Sequence, residues 1–488
     1  MVVNSYSFLL FFVVVFIVYY LPVSKQSPKF QNIWLLFASY VFYGIADWRM
    51  IPLLLATTAT YWLIGLWLRH QMEQGHTKAA SRITTFSVVL GVGVLLYFKY
   101  LNFFIESLSE LLQAIGLQVS WSTLNIILPI GVSFFTFKLI SYTIEIHREH
   151  IMPSKDLTEF AAYIAFFPTI LSGPIDRPDK FLPQMKQVHQ LDYSLATNGC
   201  RQILWGMFTK MCIADNLALI TESAWAGYSS LSSPTILLAA LLYPIQLYAD
   251  FDGYSNMAIG VGKLLGYKVN RNFNHPFLAR NMAEYWRRWH MSLTGWITDY
   301  VFMPLNIAFR DIGNWGIVMA AMINLFIIGL WHGANWTYAV FGLYHGLLFI
   351  PLILSGSFGK NKKLKANEHG LPFLKDFGKM ILTYLLVTIG HVIFRADNIG
   401  EACAFMQSLC CNGFSGNSII DSYGKLYIGF ALILLMIEWI QRKEEHNLQL
   451  QAFQLFSKRL VRYALYLFII LLIITFTGRS QAFIYFQF

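Results

Sequence analysis

Between Asp311 and Lys360 the chain carries no Asp, Glu, Lys or Arg. Coiled as helix at about 1.5 Å per residue, such a stretch runs to roughly 70 Å, enough for two crossings of a bilayer core about 30 Å thick. Its side chains that titrate near neutral pH are His332 and His345, set in GLWHGANW and GLYHG. An imidazole inside an apolar span is costly to keep, so each is a functional candidate by default. The plainer alternative is a neutral ring hydrogen-bonded to a nearby carbonyl.

The rest of the chain agrees. Hydrophobic residues make up 56% and charged ones 13%, which excludes an ordinary soluble enzyme. Apolar runs recur at 8–21, 51–68, 236–245 and 463–475, and they predict an all-α polytopic membrane protein, because helices satisfy their backbone within lipid. A transmembrane barrel calls for short alternating segments instead. With no Lys or Arg before Lys25, the first apolar run lacks the basic start of a signal peptide and is expected to be a retained span. The net charge of +10 is assigned to cytoplasmic loops rather than to nucleic acid. The five cysteines show no C-x-x-C spacing and point to small apolar fillers rather than to a disulfide or metal framework; lipidation of Cys410-Cys411 is the weaker alternative. No metal site is expected.

Spans are expected near 7–22, 32–46, 51–68, 85–101, 124–144, 198–220, 235–262, 312–331, 333–354, 380–397, 424–440 and 461–478, about twelve in all. With both termini extracytoplasmic, loops rich in Lys and Arg fall inside, and Glu106, Glu110, Glu222, Glu401 and Asp421 fall outside. Residues 1–488 read as one membrane domain, with a motif core at about 124–354 and an aromatic tail at 479–488. Phe160–Pro174 is short and runs out through FFPTILSGPIDRP; Pro129-Ile130-Gly131 breaks the 124–144 span in the same way. Broken apolar segments of this kind line cavities, so Ser172 and Pro174 are candidate lining residues.

Asp250 and Asp252, in YADFDGYSNMA, are expected to end or interrupt a span and to pair with Arg287 or Arg288. Residues 284–299, EYWRRWHMSLTGWITD, read as one amphipathic helix with Trp286, Trp289, Leu293 and Trp296 in a stripe and Arg287, His290 and Thr294 along its edge. It lies flat in the interface, walls a reaction chamber with His290 pointing inward, or does both. A hairpin of 312–331 and 333–354 then puts His332 toward the outer side and His290 near the inner face, with Gly329 and Gly333 allowing close approach. The tail, GRSQAFIYFQF, is aromatic almost to its end, as an interfacial anchor or a segment folded into a cavity.

Together these motifs resemble the membrane-bound O-acyltransferases, in the bacterial cell-envelope branch with the alginate O-acetylation and teichoic-acid D-alanylation proteins. The resemblance is carried by LPIGVSFFTF at 128–137, SGPIDRP at 172–178, YADFDGYSNMAIG at 248–260, NFNHPFLARNMAEYWRRWHMSLTGW at 272–296, GLWHGANWTYAVFGLYHG at 329–346 and FRA at 394–396. Asn274-His275-Pro276 stands where Asn-Gln-Pro is usual. The resemblance implies a ring of helices, with re-entrant and interfacial ones, around a thin funnelled centre. It implies transfer of an acyl group from a cytoplasmic thioester, with His332 matching the essential histidine and His290 the second one. It also implies that Tyr485 carries the acyl group as an ester.

The expected chemistry follows. His332 takes the proton of the attacking hydroxyl, preferably that of Tyr485, whose phenol ionises near pH 10, lower than an alkyl alcohol. Trp331, Asn335 or Trp336 steadies the oxyanion. His345, Trp286, Trp289, Arg287, Arg288, Asp250 and Asn274 line the path. The donor is acetyl-coenzyme A or an acyl carrier protein, used as co-substrate with no bound cofactor. The acyl group passes to an SGNH-like transferase or polysaccharide machinery outside the plasma (inner) membrane of a bacterium. Acetyl is the expected group and D-alanyl the runner-up; direct transfer to a sugar, a proton-coupled transporter and a recruiting scaffold are the competing readings.

Overall fold

The computed structural model describes residues 3–21, 27–117, 121, 123–124, 126–360, 370–415, 422–450 and 458–477. The tail at 479–488, with Tyr485, lies outside these residues. Among the described residues the elements are helices, with no strand. Eight helical runs among the described residues are long and apolar enough to cross a membrane, from Pro28–Glu73 to Arg459–Phe476, and Tyr6–Tyr19 and Ile399–Cys411 are shorter apolar helices. The chain is therefore an all-α polytopic membrane protein.

Three of the eight runs are compound, Tyr193–Ser230 being the third. Pro28–Glu73 contains two of the expected spans. Ser27 caps its start and Pro28 occupies the first turn, where a missing N–H leaves nothing unsatisfied. At Asp47 the chain leaves helical geometry (φ −159°, ψ 100°), the carboxylate accepts from the Arg49 N–H, and helix resumes at Ile51. Thr77–Leu95 continues through a π-helical turn, Leu96–Tyr100, into Leu101–Ala114.

The chain divides into two compact units, Met1–Cys200 with Ala258–Asn270, and Arg201–Met257 with Arg271–Phe488. In the first, the break at Pro129-Ile130-Gly131 is present. Gly131 has φ 76° and helix begins at Val132. A Cβ there would lie 2.4 Å from the carbonyl oxygen of Ile170, so glycine is required by both the backbone angle and the close approach. The segment facing it is the broken one: helix Leu157–Ala165 ends at Phe166, and residues 160–176, Ser172 and Pro174 among them, are all buried. The buried Lys138 ammonium anchors the segment by donating to Thr169 Oγ1 at 3.0 Å, while the Tyr163 hydroxyl donates to the Asp176 carbonyl at 2.9 Å.

The helix Ser233–Leu264, which belongs to the second unit as far as Met257, runs through Asp250 and Asp252 without a break. The two carboxylates do not end the span, and they do not meet Arg287 or Arg288. Asp250 lies 2.5 Å from Lys210, which is also 2.7 Å from Asp215; Asp252 accepts from Asn256 Nδ2 at 2.8 Å. Lys210 sits in a π-helical turn, Thr209–Ala214, outside every motif quoted above, and a buried charge takes the nearest counter-charge that packing provides.

Candidate active site

The hairpin forms as expected, from Asn314–His332 and Trp336–Leu354. Its helices cross at glycine. A Cβ on Gly329 would lie 2.2 Å from the Tyr338 carbonyl oxygen, and one on Gly342 2.4 Å from that of Leu325. His332 is the last residue of the first helix, and the chain then turns extended at Gly333. Asn335 caps the second helix: its Oδ1 accepts from Thr337 N at 3.0 Å and its Nδ2 donates to the Asp397 carbonyl at 2.7 Å. Trp336 is 52% exposed. Of the three expected oxyanion donors, only Trp331 is buried beside the histidine, with ring centroids 5.1 Å apart. Phe394, from the FRA motif, packs edge-on to His332 at 5.2 Å.

The 284–299 segment departs from its expectation. Helix covers Met282–Trp286, capped by the Asn281 side chain, and starts again at Met291–Ile297. Between them His290 adopts left-handed geometry, φ 41° and ψ 53°. Residues 272–274 take over the freed backbone groups. Asn274 N donates to the Arg288 carbonyl at 3.0 Å and Met291 N to that of Asn272 at 2.7 Å. The Asn272 amide accepts from Ser292 Oγ at 2.6 Å and donates to Ser255 Oγ at 2.9 Å. Trp286, Trp289, Leu293 and Trp296 of this segment are all buried. Its aromatic side chains form an inner wall.

The break turns His290 inward. Its ring is fully buried, 4.7 Å from Phe251, 5.5 Å from Trp331 and 6.4 Å from His332. The two histidines thus come together at one place, and the expected separation toward opposite membrane faces is corrected. The hairpin alone puts them apart; the left-handed geometry at His290 re-aims one of them.

The remaining candidates divide. Trp289 packs on Phe273 at 5.0 Å and Tyr285 at 5.5 Å. Trp286 donates to His345 Nδ1 at 3.3 Å. Arg288 donates to the Asn274 carbonyl at 3.0 Å and to Glu284 at 3.0 Å, and Arg280 approaches the same carboxylate at 3.0 Å. Burial alone would raise the Glu284 carboxyl, but the Arg280 hydrogen bonds and the Arg288 charge outweigh it and hold the group below its ordinary range. Arg287 is exposed and donates to the Phe358 carbonyl at 3.4 Å. Asp250 belongs to the Lys210 cluster, and Ser172 and Pro174 lie in the first unit.

Sequence reading missed His391. It is buried on Leu374–Arg395, its Nδ1 lies 2.9 Å from the Val387 carbonyl, and its ring stands 5.5 Å from Trp289 and 6.1 Å from Phe341. A carbonyl only accepts, so Nδ1 carries the proton. The signal was available: His391 is an imidazole in the uncharged run between Lys379 and Arg395, the same pattern that singles out His332.

A multi-pass helical membrane protein that gathers His290, His332 and Trp331 in a buried aromatic setting has the features of an intramembrane acyl-transfer enzyme. The comparisons agree: the chain belongs to the membrane-bound O-acyltransferase family, whose family model matches residues 37–365. It is similar to the probable alginate O-acetylase AlgI of Pseudomonas aeruginosa, 38% identical over 418 residues, covering 84% of this chain and 75% of the relative. The peptidoglycan O-acetyltransferase of Helicobacter pylori is 29% identical over 451 residues, covering 84% and 81%. The teichoic acid D-alanyltransferase of Streptococcus thermophilus is 31% identical over 317 residues, covering 60% and 74%. The protein is a membrane-bound O-acyltransferase, and the transporter and scaffold readings fall away.

Proposed function

We propose that this enzyme moves an acetyl group from a cytoplasmic thioester, acetyl-coenzyme A or an acetylated carrier protein, to a hydroxyl on the outer side of the inner membrane, for O-acetylation of an envelope polysaccharide. The observation that carries the reading is the buried pairing of His332 with His290, ring centroids 6.4 Å apart, beside Trp331. His332 takes the hydroxyl proton as general base, the oxygen attacks the thioester carbonyl, and the C–S bond breaks. The proton passes from the imidazolium to the departing thiolate, so ester and thiol are the products. Trp331 and His290 flank the reacting ring as candidates to steady the oxyanion. Exposed Arg287 and its neighbour Arg288 supply positive charge for a donor's phosphates.

Acetyl is favoured over D-alanyl because the O-acetylating relatives align with 84% of the chain and the D-alanylating relatives with 60% and 55%. The acceptor hydroxyl is that of Tyr485, which hands the acetyl group to an SGNH-like transferase; both termini are extracytoplasmic. The test is the mass of the tryptic peptide 480–488 from native membranes and from membranes carrying His332→Ala. An acetyl adduct on Tyr485 that is lost in the variant supports both the base and the relay, and a D-alanyl mass redirects the donor. In a strain lacking the outer transferase, where the ester accumulates, an unmodified peptide overturns the relay. Full transfer by His332→Ala overturns the base; the expected loss is about 10²- to 10⁴-fold.

A further inference from the structure

The hydrogen bond between Trp286 and His345 determines more than a packing contact. An indole nitrogen only donates, so the 3.3 Å bond from Trp286 Nε1 requires a lone pair on His345 Nδ1. The proton of the neutral ring is then on Nε2, which is buried and has no hydrogen-bond partner. On that side the ring abuts the Leu374–Arg395 helix: a Cβ added at Gly390 would lie 2.5 Å from Nε2. Phe341 holds the ring edge-on at 4.5 Å, Tyr344 stands at 5.4 Å, and Tyr285 is stacked nearly parallel at 13°. Protonating Nδ1 would set two N–H groups against one another. His345 is therefore fixed in one tautomer and is no proton carrier, although it sits in the same charge-free stretch as His332.

Trp286 closes the helix Met282–Trp286, four residues before the left-handed break at His290. Tyr285, on the same short helix, stacks on Trp289 at 22°, so both aromatic supports of the break lean on the His345 ring. We infer that His345 is a positioning residue. By accepting from Trp286 it holds the short helix in the register from which the chain turns His290 toward His332, and residue 390 is glycine because any Cβ would push the ring off the indole. His345 touches neither the acyl group nor the attacking hydroxyl. The role rests on the proposed site for its kinetic readout, but the bond itself can be read without catalysis.

The test uses the full-length protein in native membranes, acetyl-coenzyme A as donor and the released thiol as readout. In His345→Phe, which keeps a ring but removes the acceptor, kcat falls roughly a hundredfold, the effect of about 1 Å of misplacement at a reacting centre, and KM for acetyl-coenzyme A changes by less than about threefold. His345→Asn, whose Oδ1 stands close to the place of Nδ1, recovers most of that loss with the acid limb of the kcat–pH profile unmoved. Gly390→Ala repeats the His345→Phe defect. Ultraviolet resonance Raman spectra supply the reading that does not depend on turnover: the Trp286 indole band moves to its unbonded position in His345→Phe and stays in His345→Asn, with Trp286→Phe assigning the band. Unchanged kcat in His345→Phe, a shifted acid limb in His345→Asn, or an indole band indifferent to all three variants overturns the role. Should His332→Ala prove active, the base assignment fails, and the Raman comparison still decides the His345 bond.

Discussion

The 314–354 hairpin and the 282–297 segment deliver a histidine each to the same buried place, by opposite means. His332 arrives at the end of a regular helix whose crossing is set by glycines at 329 and 342. His290 arrives because a helix fails, its left-handed backbone held by Asn272 and Asn274. The hairpin carries its own instructions, since a charge-free run in lipid must satisfy its backbone internally and glycine permits the close crossing. The other segment has helical periodicity throughout and breaks only because neighbouring chain offers better partners. A non-glycine residue in left-handed geometry is strained by about 1–3 kcal/mol, and surrounding contacts must over-determine it.

The largest expected effect lies in the hairpin. Gly329→Val drives a side chain into the Tyr338 backbone, which cannot yield as a side-chain tip would, and should destabilise by about 3 kcal/mol or more. Thermal unfolding of the detergent-solubilised full chain measures it, and a parental melting temperature would mean that the helices do not cross so closely. Next comes the break itself, through a pair of variants that both lack the imidazole. His290→Asn tolerates left-handed geometry and His290→Val does not, so the valine form should be less stable by about 1–2 kcal/mol. Equal stabilities would restore the continuous helix.

The smallest effect concerns the flank of the break. Glu284→Gln should lose about 1 kcal/mol at neutral pH, because its Arg partners remain partly exposed. The sign follows from the lowered carboxyl: the folded group holds its proton less tightly than the unfolded one. Its contribution is complete above the ordinary carboxylate value of about 4.3 and is lost as pH falls through the lower folded value. Parent and variant melting temperatures should therefore converge in acid; a gap that stays constant with pH would show that the Arg280 and Arg288 contacts do not depend on the Glu284 charge.

Much of the site was legible. His332 and His345 stand out because lipid makes an imidazole expensive, and the same rule applied to 380–394 finds His391. Gly131 and the broken 160–174 segment were readable from Pro and Gly placement. The partners of Asp250 were not, since Lys210 lies outside any motif and only folding brings it to 2.5 Å. Nor was the placement of the three oxyanion candidates: Asn335 and Trp336 follow Trp331 closely in sequence, yet Asn335 caps a helix and Trp336 is exposed, while Trp331 is buried.

By itself the sequence determined that this chain crosses the membrane many times as helix, that its spans break where Pro and Gly interrupt them, and that its buried histidines are the candidates for its chemistry. These follow from the backbone's need for hydrogen bonds in lipid and from the desolvation of titratable groups, both of which act locally. The tertiary structure alone decided that His290 turns out of its helix, that it comes beside His332, and that His345 accepts a hydrogen bond from Trp286. Those outcomes depend on which distant groups come within hydrogen-bond reach, and no spacing along one segment encodes them.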